Sequence, residues 1–107
     1  MQIIGRRKLD KFAQKHSTAR RVLQRWYALI EEGTFESFVD LRETFPQADP
    51  VPVGAGEPTQ AGEKTTLTVF NIGRNVRLIA FIEYKEQTVS IRRVLTHDQY
   101  DRGKWKR

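Results

Sequence analysis

The segment LTVFNIGRNVRLIAFIEYKEQTVSIRRVLTHDQYDRGKW, residues 67–105, decides the fold. It contains three runs rich in apolar and β-branched residues, at 67–72, 76–84 and 88–95, and short polar turns separate them. This pattern predicts an antiparallel meander of three strands. The middle run contains the apolar stretch LIAFI at 78–82, and a continuous run of this kind predicts a central strand that is covered on both faces.

A short helix is predicted where the last strand ends. Thr96 and Gln99 stand three residues apart, which is the spacing of a capping box at a helix start. From that start, His97, Tyr100 and Asp101 are spaced i, i+3 and i+4, so they share one face of the helix. An imidazole, a phenol and a carboxylate are therefore gathered at the end of the sheet, and this is the best candidate for a reactive site.

Helices are predicted upstream of the sheet. After a possible edge strand at Ile3-Ile4, residues 6–15 and 18–32 repeat apolar side chains at helical spacing, with Ser17 as the N-cap of the second helix. The short connection predicts a helical hairpin. A third, shorter helix is predicted within 34–45, where a proline follows.

Two residues of these helices that could bind a ligand are assigned to the core instead. His16 continues the apolar stripe of the first helix, so packing at the helix end is the better interpretation. Trp26 lies in the apolar stripe of the second helix together with Val22 and Leu23. That position favours packing in the core over stacking on a nucleic-acid base.

The stretch from about 46 to 66 has no helix or strand pattern. All four prolines and three of the seven glycines fall in it, so it is predicted to be a flexible surface loop. A length of 107 residues supports one core. The prediction is a single α+β domain over residues 1–107, with an N-terminal helical hairpin on an antiparallel sheet and a short C-terminal helix.

The charges are segregated along the chain. Residues 1–30 carry eight Lys/Arg against Asp10, residues 31–63 carry eight Asp/Glu against Arg42, and residues 64–107 carry ten Lys/Arg against four acids. Two basic blocks that converge in the fold would form a surface suited to a polyanion. The alternative is that these are ordinary solvated helix faces.

The composition argues against several other classes. Without cysteine the chain has no disulfide and no thiolate metal site, and its two histidines are far apart in sequence. No metal and no cofactor are therefore expected. The chain has no apolar run of the roughly 20 residues that a membrane helix needs, and its apolar N-terminal segment is too short for a signal peptide. A cytoplasmic protein fits these observations.

Strand alternation predicts where the arginines of the sheet point. Arg77 shares a face with Ile79 and Phe81, whereas Arg92 is expected with Val94 on one face of the last strand and Arg93 on the other. An arginine on an apolar strand face needs an anion or the rim of a cleft, because an unpaired buried charge is costly. Each could equally form a structural ion pair with a neighbouring acid.

Several segments carry a pattern shared with a known family: 69–73 (VFNIG), 77–80 (RLIA), 91–101 (IRRVLTHDQYD), 103–105 (GKW), 26–27 (WY) and 44–46 (TFP). Together they resemble the HigB toxins of bacterial toxin–antitoxin pairs. The resemblance extends over nearly the whole chain except residues 50–66. Its most specific parts are the Phe-Asn-Ile-Gly and Thr-His-x-x-Tyr-Asp segments.

The resemblance implies a fold, an activity and a partner. HigB toxins belong to the RelE-like superfamily of small endoribonucleases, which work without a metal, enter the ribosomal A site and cut mRNA that is being translated. A HigA antitoxin, a helix-turn-helix protein, holds them inactive, and the complex represses its own operon. DNA would thus be contacted only indirectly, through the antitoxin. A helical hairpin on an antiparallel sheet is the fold expected of this superfamily.

Cleavage of RNA without a metal needs a base for the 2′-OH, positive charge for the phosphorane and an acid for the leaving oxygen. His97 is the natural base or acid, because its ordinary pKa lies near neutrality. Asp101 could orient it, and Tyr100 could donate a hydrogen bond or stack on a base. Arg77 and Arg92 could hold the phosphate. The alternative for His97 is a hydrogen bond at the helix cap with no chemical role.

RNA contacts are predicted for basic residues at both ends of the chain and on the last strand, and those of the first basic block, residues 1–30, are attributed to ribosomal RNA. Such contacts give affinity through counterion release and little sequence choice. The acidic block at 31–63 could shield this surface or contact the antitoxin. The predicted RNA-binding residues are Arg6, Arg7, Lys8, Lys11, Arg21, Arg25, Arg93, Lys104 and Lys106.

Two other functions fit the same fold. A ParE-like toxin would inhibit a protein target and would not need the acid–base cluster around His97. A non-catalytic RNA-binding module would be expected to expose aromatics on its strand faces, whereas Phe70 and Phe81 lie among aliphatic residues. Substitution of His97 by alanine separates these functions, since only a nuclease would lose activity while it still binds.

Overall fold

The computed structural model describes residues 1–53, 65–103 and 105. These residues form the predicted α+β fold, with helices near the N-terminus, a five-stranded sheet and a short C-terminal helix. A single turn of 3-10 helix at Ser17–Ala19 precedes the second α-helix. In chain order the elements are β1 Gln2–Ile4, α1 Arg6–Lys15, α2 Arg20–Glu32, α3 Phe38–Thr44, β2 Ala48–Val53, β3 Thr65–Ile72, β4 Val76–Glu83, β5 Thr88–Thr96 and α4 His97–Asp101.

The sheet has the order β1-β5-β4-β3-β2 and is mostly antiparallel. The exception is β1, which runs parallel to β5 and pairs only with Thr88–Ser90. Gly5 ends β1 with a φ of 94°, and a Cβ atom there would lie 2.9 Å from the carbonyl oxygen of Ile91. The chain therefore turns into α1 directly against β5, and no described strand pairs with the outer edge of β5 beyond Ser90.

The helices cover one face of the sheet. Leu9 and Phe12 of α1 and Leu23 and Ile30 of α2 are buried against strand residues of that face, including Leu78. At roughly 25 cal/mol per Å² of buried apolar surface, this is the main favourable term in folding. Trp26 is 2% exposed and meets Phe70 edge to face at 5.3 Å, and His16 stacks on Phe12 at 4.3 Å. Both fulfil the predicted packing roles.

The opposite face of the sheet carries a smaller apolar cluster. Leu67, Val69 and Ile79 are its buried centre, and Tyr100 and Trp105 pack against it. This cluster brings the end of the chain onto the sheet surface. The two faces are called below the helix face and the open face.

The predicted loop at 46–66 is wrong for its first part, because Ala48–Val53 forms the edge strand β2. Pro50 and Pro52 obscured this strand in the sequence. The two prolines stand two residues apart, so the positions of their missing N–H groups lie on the same side of the strand. An edge strand tolerates proline when that side has no partner strand. Residues 54–64 of the predicted loop lie outside the described residues.

Two details of the helices also differ from the prediction. Ser17 opens the 3-10 turn and caps no helix with its side chain, so α2 begins at Arg20. Val22 is 37% exposed and does not belong to the buried stripe. The third helix begins later than predicted because the Ser37 hydroxyl accepts a hydrogen bond from the Asp40 N–H and fixes the start at Phe38.

A β-bulge changes the predicted directions of the arginines on β5. Ile79 pairs with Arg93 but Ala80 pairs with Ile91, so β5 contains one extra residue, Arg92, at this point. Alternation is therefore reversed across the bulge. Arg92 was expected on the same face as Val94, and this is wrong, because Arg92 lies over Phe81 of the open face whereas Val94 packs against the core under the helices. Arg93 was expected on the opposite face from Arg92, and this is wrong too, because it lies with Ile79 on the open face.

Candidate functional site

The start of α4 is fixed by the predicted capping box. The Thr96 hydroxyl accepts a hydrogen bond from the Gln99 N–H at 3.2 Å, and the Gln99 side chain accepts one from the Thr96 N–H at 3.0 Å. The N–H of His97 also donates to the carbonyl of Asn75 at 2.9 Å, in the turn between β3 and β4. These bonds hold the first helical residue, His97, at a defined place beside the sheet.

His97 and Asp101 form a close pair on one face of α4, as their spacing predicts. Nδ1 of His97 lies 2.9 Å from Oδ2 of Asp101, and the two side chains are 45% and 60% exposed. A pair as exposed as this contributes little to stability. Its effect is to orient the imidazole, since the carboxylate binds one ring nitrogen and leaves the other for a substrate.

Tyr100 lies against the open face beside this pair. Its ring stacks on Trp105 with centroids 5.1 Å apart and planes at 17°, and the Trp105 indole N–H donates to the Tyr100 carbonyl at 3.1 Å. Burial raises the pKa of Tyr100, and Asp49 and Asp101 raise it further against the opposing effect of Arg77. The phenol therefore stays protonated at neutral pH and can donate a hydrogen bond.

Arg77 reaches the same place from the sheet. On β4 it pairs with Leu95 on one side and Asn71 on the other, so it lies on the open face near the start of α4. Its Nη1 donates to the carbonyl of Val76 at 2.9 Å. The positive charge of Arg77 acts on the Tyr100 phenol, which places guanidinium and phenol in one site.

Asp49 belongs to this site but was not found from the sequence. The Asn71 amide donates to Oδ2 of Asp49 at 3.0 Å and to the carbonyl of Gln47 at 2.6 Å, so Asn71 ties β2 to β3 and positions the carboxylate. Asp49 was missed because β2 was taken for loop. The available signal was the alternation of ADPVPV at 48–53, in which Asp49, Val51 and Val53 share one face.

Arg92 lies apart from Arg77. Its guanidinium carbon is 5.7 Å from the centre of the Phe81 ring, and Phe81 is four residues from Arg77 along β4, or roughly 13 Å at about 3.3 Å per residue. The structure thus brings His97, Tyr100, Asp101 and Arg77 together and places Arg92 farther along the sheet.

The predicted RNA-binding residues fall into three groups. Lys8 and Lys11 of α1 lie beside β5 and line one groove together with its Arg93. Nζ of Lys8 donates to the carbonyl of Arg92 at 3.1 Å. Nε of Arg6 lies 3.7 Å from Oδ2 of Asp10, and its guanidinium group lies over the ring of Tyr27. Exposed helix positions and residues outside the described ranges make up the rest: Arg7, Arg21 and Arg25 are exposed, and Lys104 and Lys106 are not described.

Two further findings concern the described ranges alone. No three His, Asp or Glu side chains there are grouped so that they could hold a metal ion. None of the helices in those ranges is long and apolar enough to cross a membrane.

Residues 19–103 match the family model of the HigB toxin, described as the RelE-like toxic component of a toxin–antitoxin system. The matched segment includes β2 to β5, α4 and the site residues Asp49, Arg77, His97, Tyr100 and Asp101. A search of curated proteins finds no match.

Proposed function

The chain belongs to the HigB toxin family of toxin–antitoxin systems, and from that premise we propose that it is an endoribonuclease that cuts translated mRNA on the ribosome. The chemistry would be carried by the side chains of the open face. A positively charged protein, with a formal net charge of +6, suits a substrate and a ribosomal surface made of RNA.

The observation that carries this proposal is the pair of His97 and Asp101 at 2.9 Å. An exposed histidine, held by a carboxylate at one nitrogen, is the usual arrangement of a proton-transfer group. It lies beside a phenol and a guanidinium, whereas a structural cap needs neither. A toxin that only bound a protein target would have no use for such a group.

In the proposed reaction the 2′-oxygen of a ribose attacks the adjacent phosphate. His97 takes the 2′-OH proton, the new O–P bond forms, and the P–O5′ bond breaks to leave a cyclic phosphate and a 5′-OH. Tyr100, which burial keeps protonated at neutral pH, gives its proton to the leaving 5′-oxygen and so completes the 5′-OH. Asp101 steadies the imidazolium that forms on His97.

Arg77 is the proposed phosphate-binding residue of this centre. Negative charge grows on the phosphorane oxygens, and a fixed guanidinium stabilises it more in the transition state than in the substrate. The fork of an arginine also matches two oxygens of one phosphate. Since Arg92 lies over Phe81, four residues along β4 from Arg77, it is assigned to a neighbouring part of the RNA and not to the scissile phosphate.

Membership of the family implies an antitoxin partner. We propose that this antitoxin is a HigA-like helix-turn-helix protein, that the toxin contacts operator DNA only through it, and that both act in the cytoplasm, where translated mRNA is found. No cofactor enters the proposed mechanism. The antitoxin would need to neutralise a surface whose cations include Lys8 and Arg93.

The test is induced expression of the wild type and of His97→Ala in growing cells, with mapping of mRNA 5′ ends. The wild type is expected to arrest growth and to create new 5′ ends inside translated frames. His97→Ala should lose both effects, because proton transfer by a side chain contributes about 10²- to 10⁴-fold.

Asp98→Ala is the matched control, since Asp98 lies in the first turn of the same helix and is not paired with His97. It should cut mRNA like the wild type. Arrest without new 5′ ends would reject the nuclease in favour of an inhibitor of a protein target. New ends that persist in His97→Ala would reject the assigned centre.

A further inference from the structure

A groove runs between α1 and β5 next to the proposed active site. Its volume is about 1090 Å³, above the roughly 300–1,000 Å³ of most small-molecule sites. One wall is α1, and the floor includes Ile79 and Leu95 of the open face and Trp105. A groove of this size suits a segment of a polymer better than a single small ligand.

The groove is strongly cationic. Five basic side chains line it, and none of its described lining residues carries a carboxylate. Nor does any acid of the described ranges come within 4.0 Å of these five cations. Their charge is therefore available to an anionic ligand. The five are Lys8, Lys11, Lys15, Arg92 and Arg93.

The bulge on β5 is what gives the groove two adjacent arginines. In a regular strand, Arg92 and Arg93 would point to opposite faces. Here Arg93 pairs with Ile79 of the open face, and Arg92 lies over Phe81, which pairs with Ser90 on that face. Both guanidinium groups are thus directed to the groove side of the sheet.

An aromatic side chain connects the groove to the active site. Trp105 lines the groove and also stacks on Tyr100 at 5.1 Å. A cationic channel with an aromatic floor is the usual design for binding single-stranded nucleic acid, in which phosphates meet the cations and bases stack on the rings. An RNA strand that follows the Tyr100–Trp105 stack would run from the reacting phosphate into the groove.

We propose that this groove binds the stretch of single-stranded RNA that flanks the cleavage point, with phosphates on the cations of α1 and β5 and a base on Trp105. The inference rests on the proposed nuclease function. It assigns to the mRNA substrate a helix, α1, whose cations would otherwise be attributed to ribosomal RNA. It also gives Arg92 and Arg93 a shared role.

An acidic protein segment is the competing occupant, and one contact argues against it. A peptide that adds to the edge of a sheet pairs with the free backbone groups of the edge strand. On β5 the carbonyl of Arg92 already accepts a hydrogen bond from Lys8 at 3.1 Å. Lys8 of α1 thus covers part of this edge, and a covered edge is protected from such pairing.

The test is the binding of a fluorescein-labelled single-stranded RNA whose riboses are 2′-O-methylated, measured by anisotropy over a range of salt. Methylation blocks attack by the 2′-oxygen, so binding is read without cleavage. Each lysine that meets a phosphate contributes about 0.7 to the slope of log K against log salt for single strands. Lys15→Ala should lower the slope by about 0.7, and Lys11→Ala with Lys15→Ala by about 1.4.

The matched control is Lys85→Ala, which removes the same charge from an exposed position in the turn between β4 and β5, outside the groove. It should leave the slope unchanged. Trp105→Ala should weaken binding about 5-fold or more, and Trp105→Phe should restore most of it. A duplex of the same sequence should bind without sensitivity to Trp105.

Three outcomes overturn the inference. Lysine variants of the groove could bind RNA like Lys85→Ala, the Trp105 variants could bind like the wild type, or poly-glutamate could bind the groove lysines as tightly as RNA of equal charge. The nuclease proposal is tested separately. If the protein cuts mRNA but its groove variants bind RNA like the wild type, only this inference is rejected. Groove-dependent RNA binding without cutting would reject the nuclease and, with it, the assignment of the bound RNA as the flank of a cleavage point, while the groove would remain an RNA-binding site.

Discussion

Oδ2 of Asp101 lies 2.9 Å from Nδ1 of His97 across one turn of α4. Among the described residues the second ring nitrogen of His97 has no protein hydrogen-bond partner. The carboxylate thus selects which nitrogen faces a substrate.

Replacement of Asp101 by asparagine should slow RNA cleavage by less than the loss of about 10²- to 10⁴-fold expected for His97→Ala. The amide oxygen can still accept from Nδ1, but the negative charge that steadies the imidazolium is gone. Single-turnover cleavage of RNA on programmed ribosomes measures both variants. Asp98→Asn, in the same helix turn, serves as the control and should cut at the wild-type rate. Equal rates for Asp101→Asn and the wild type would show that the negative charge of Asp101 does not assist proton transfer by His97.

Asp49→Asn should lower the pKa of Tyr100. In the wild type, burial and the negative charge of Asp49 both raise this pKa above its ordinary value of 10.0. Removal of that charge makes the phenolate easier to form, so ionisation moves to lower pH. NMR titration of labelled tyrosine rings reads the change, with Glu86→Gln at an exposed turn position as the control. An unchanged or higher pKa in Asp49→Asn would show that the carboxylate does not act on the phenol.

Gly5→Ala should destabilise the fold more than Gly73→Ala. Both glycines have positive φ, 94° and 61°, which costs an L-residue roughly 1–2 kcal/mol. At Gly5 the new Cβ would also lie 2.9 Å from the carbonyl oxygen of Ile91, whereas at Gly73 it would meet no atom within 4 Å. Urea unfolding measures the free energy of each variant. Equal losses would show that β1 and α1 can move away from β5 without cost.

Stability should fall at alkaline pH because of Tyr84. Burial raises the pKa of this phenol above 10.0, against a smaller lowering by the Thr68 side chain. A raised folded-state pKa gives stability that is fully present below pH 10.0 and is lost as pH rises through the folded-state value, because the unfolded chain ionises first. Tyr84→Phe should reduce this alkaline loss, measured as the free energy of unfolding at neutral pH and above pH 10.0. Tyr27→Phe, in α2, is the control. An alkaline loss as large in Tyr84→Phe as in the wild type would assign it to other groups.

The features that the sequence predicted well are those set by local rules. The capping box from Thr96 to Gln99 and the pairing of His97 with Asp101 follow from helical spacing alone. The strands β3, β4 and β5 were likewise predicted to within two residues of their ends. Each of these signals lies within a few neighbouring residues, so it can be recognised without knowing which strands pair.

The features that were missed depend on tertiary pairing. Pro50 and Pro52 indicate a loop unless the partner strand is known, so β2 was not predicted. Asp49 of β2 was therefore missed as well, and its position in the site depends on the hydrogen bond from the Asn71 amide. The bulge at Arg92 is visible only as a mismatch of register with β4. A single extra residue therefore places Arg93 on the open face together with Arg92, instead of on the opposite face.

The positions of the two tryptophans provide a built-in optical readout. Trp26 is 2% exposed in the core under the helices, while Trp105 stacks on Tyr100 at the candidate site. The emission of one indole will change when the core unfolds, and that of the other when the end of the chain leaves the sheet. Time-resolved emission of the unmodified chain could thus separate opening of the site from global unfolding, without an attached dye.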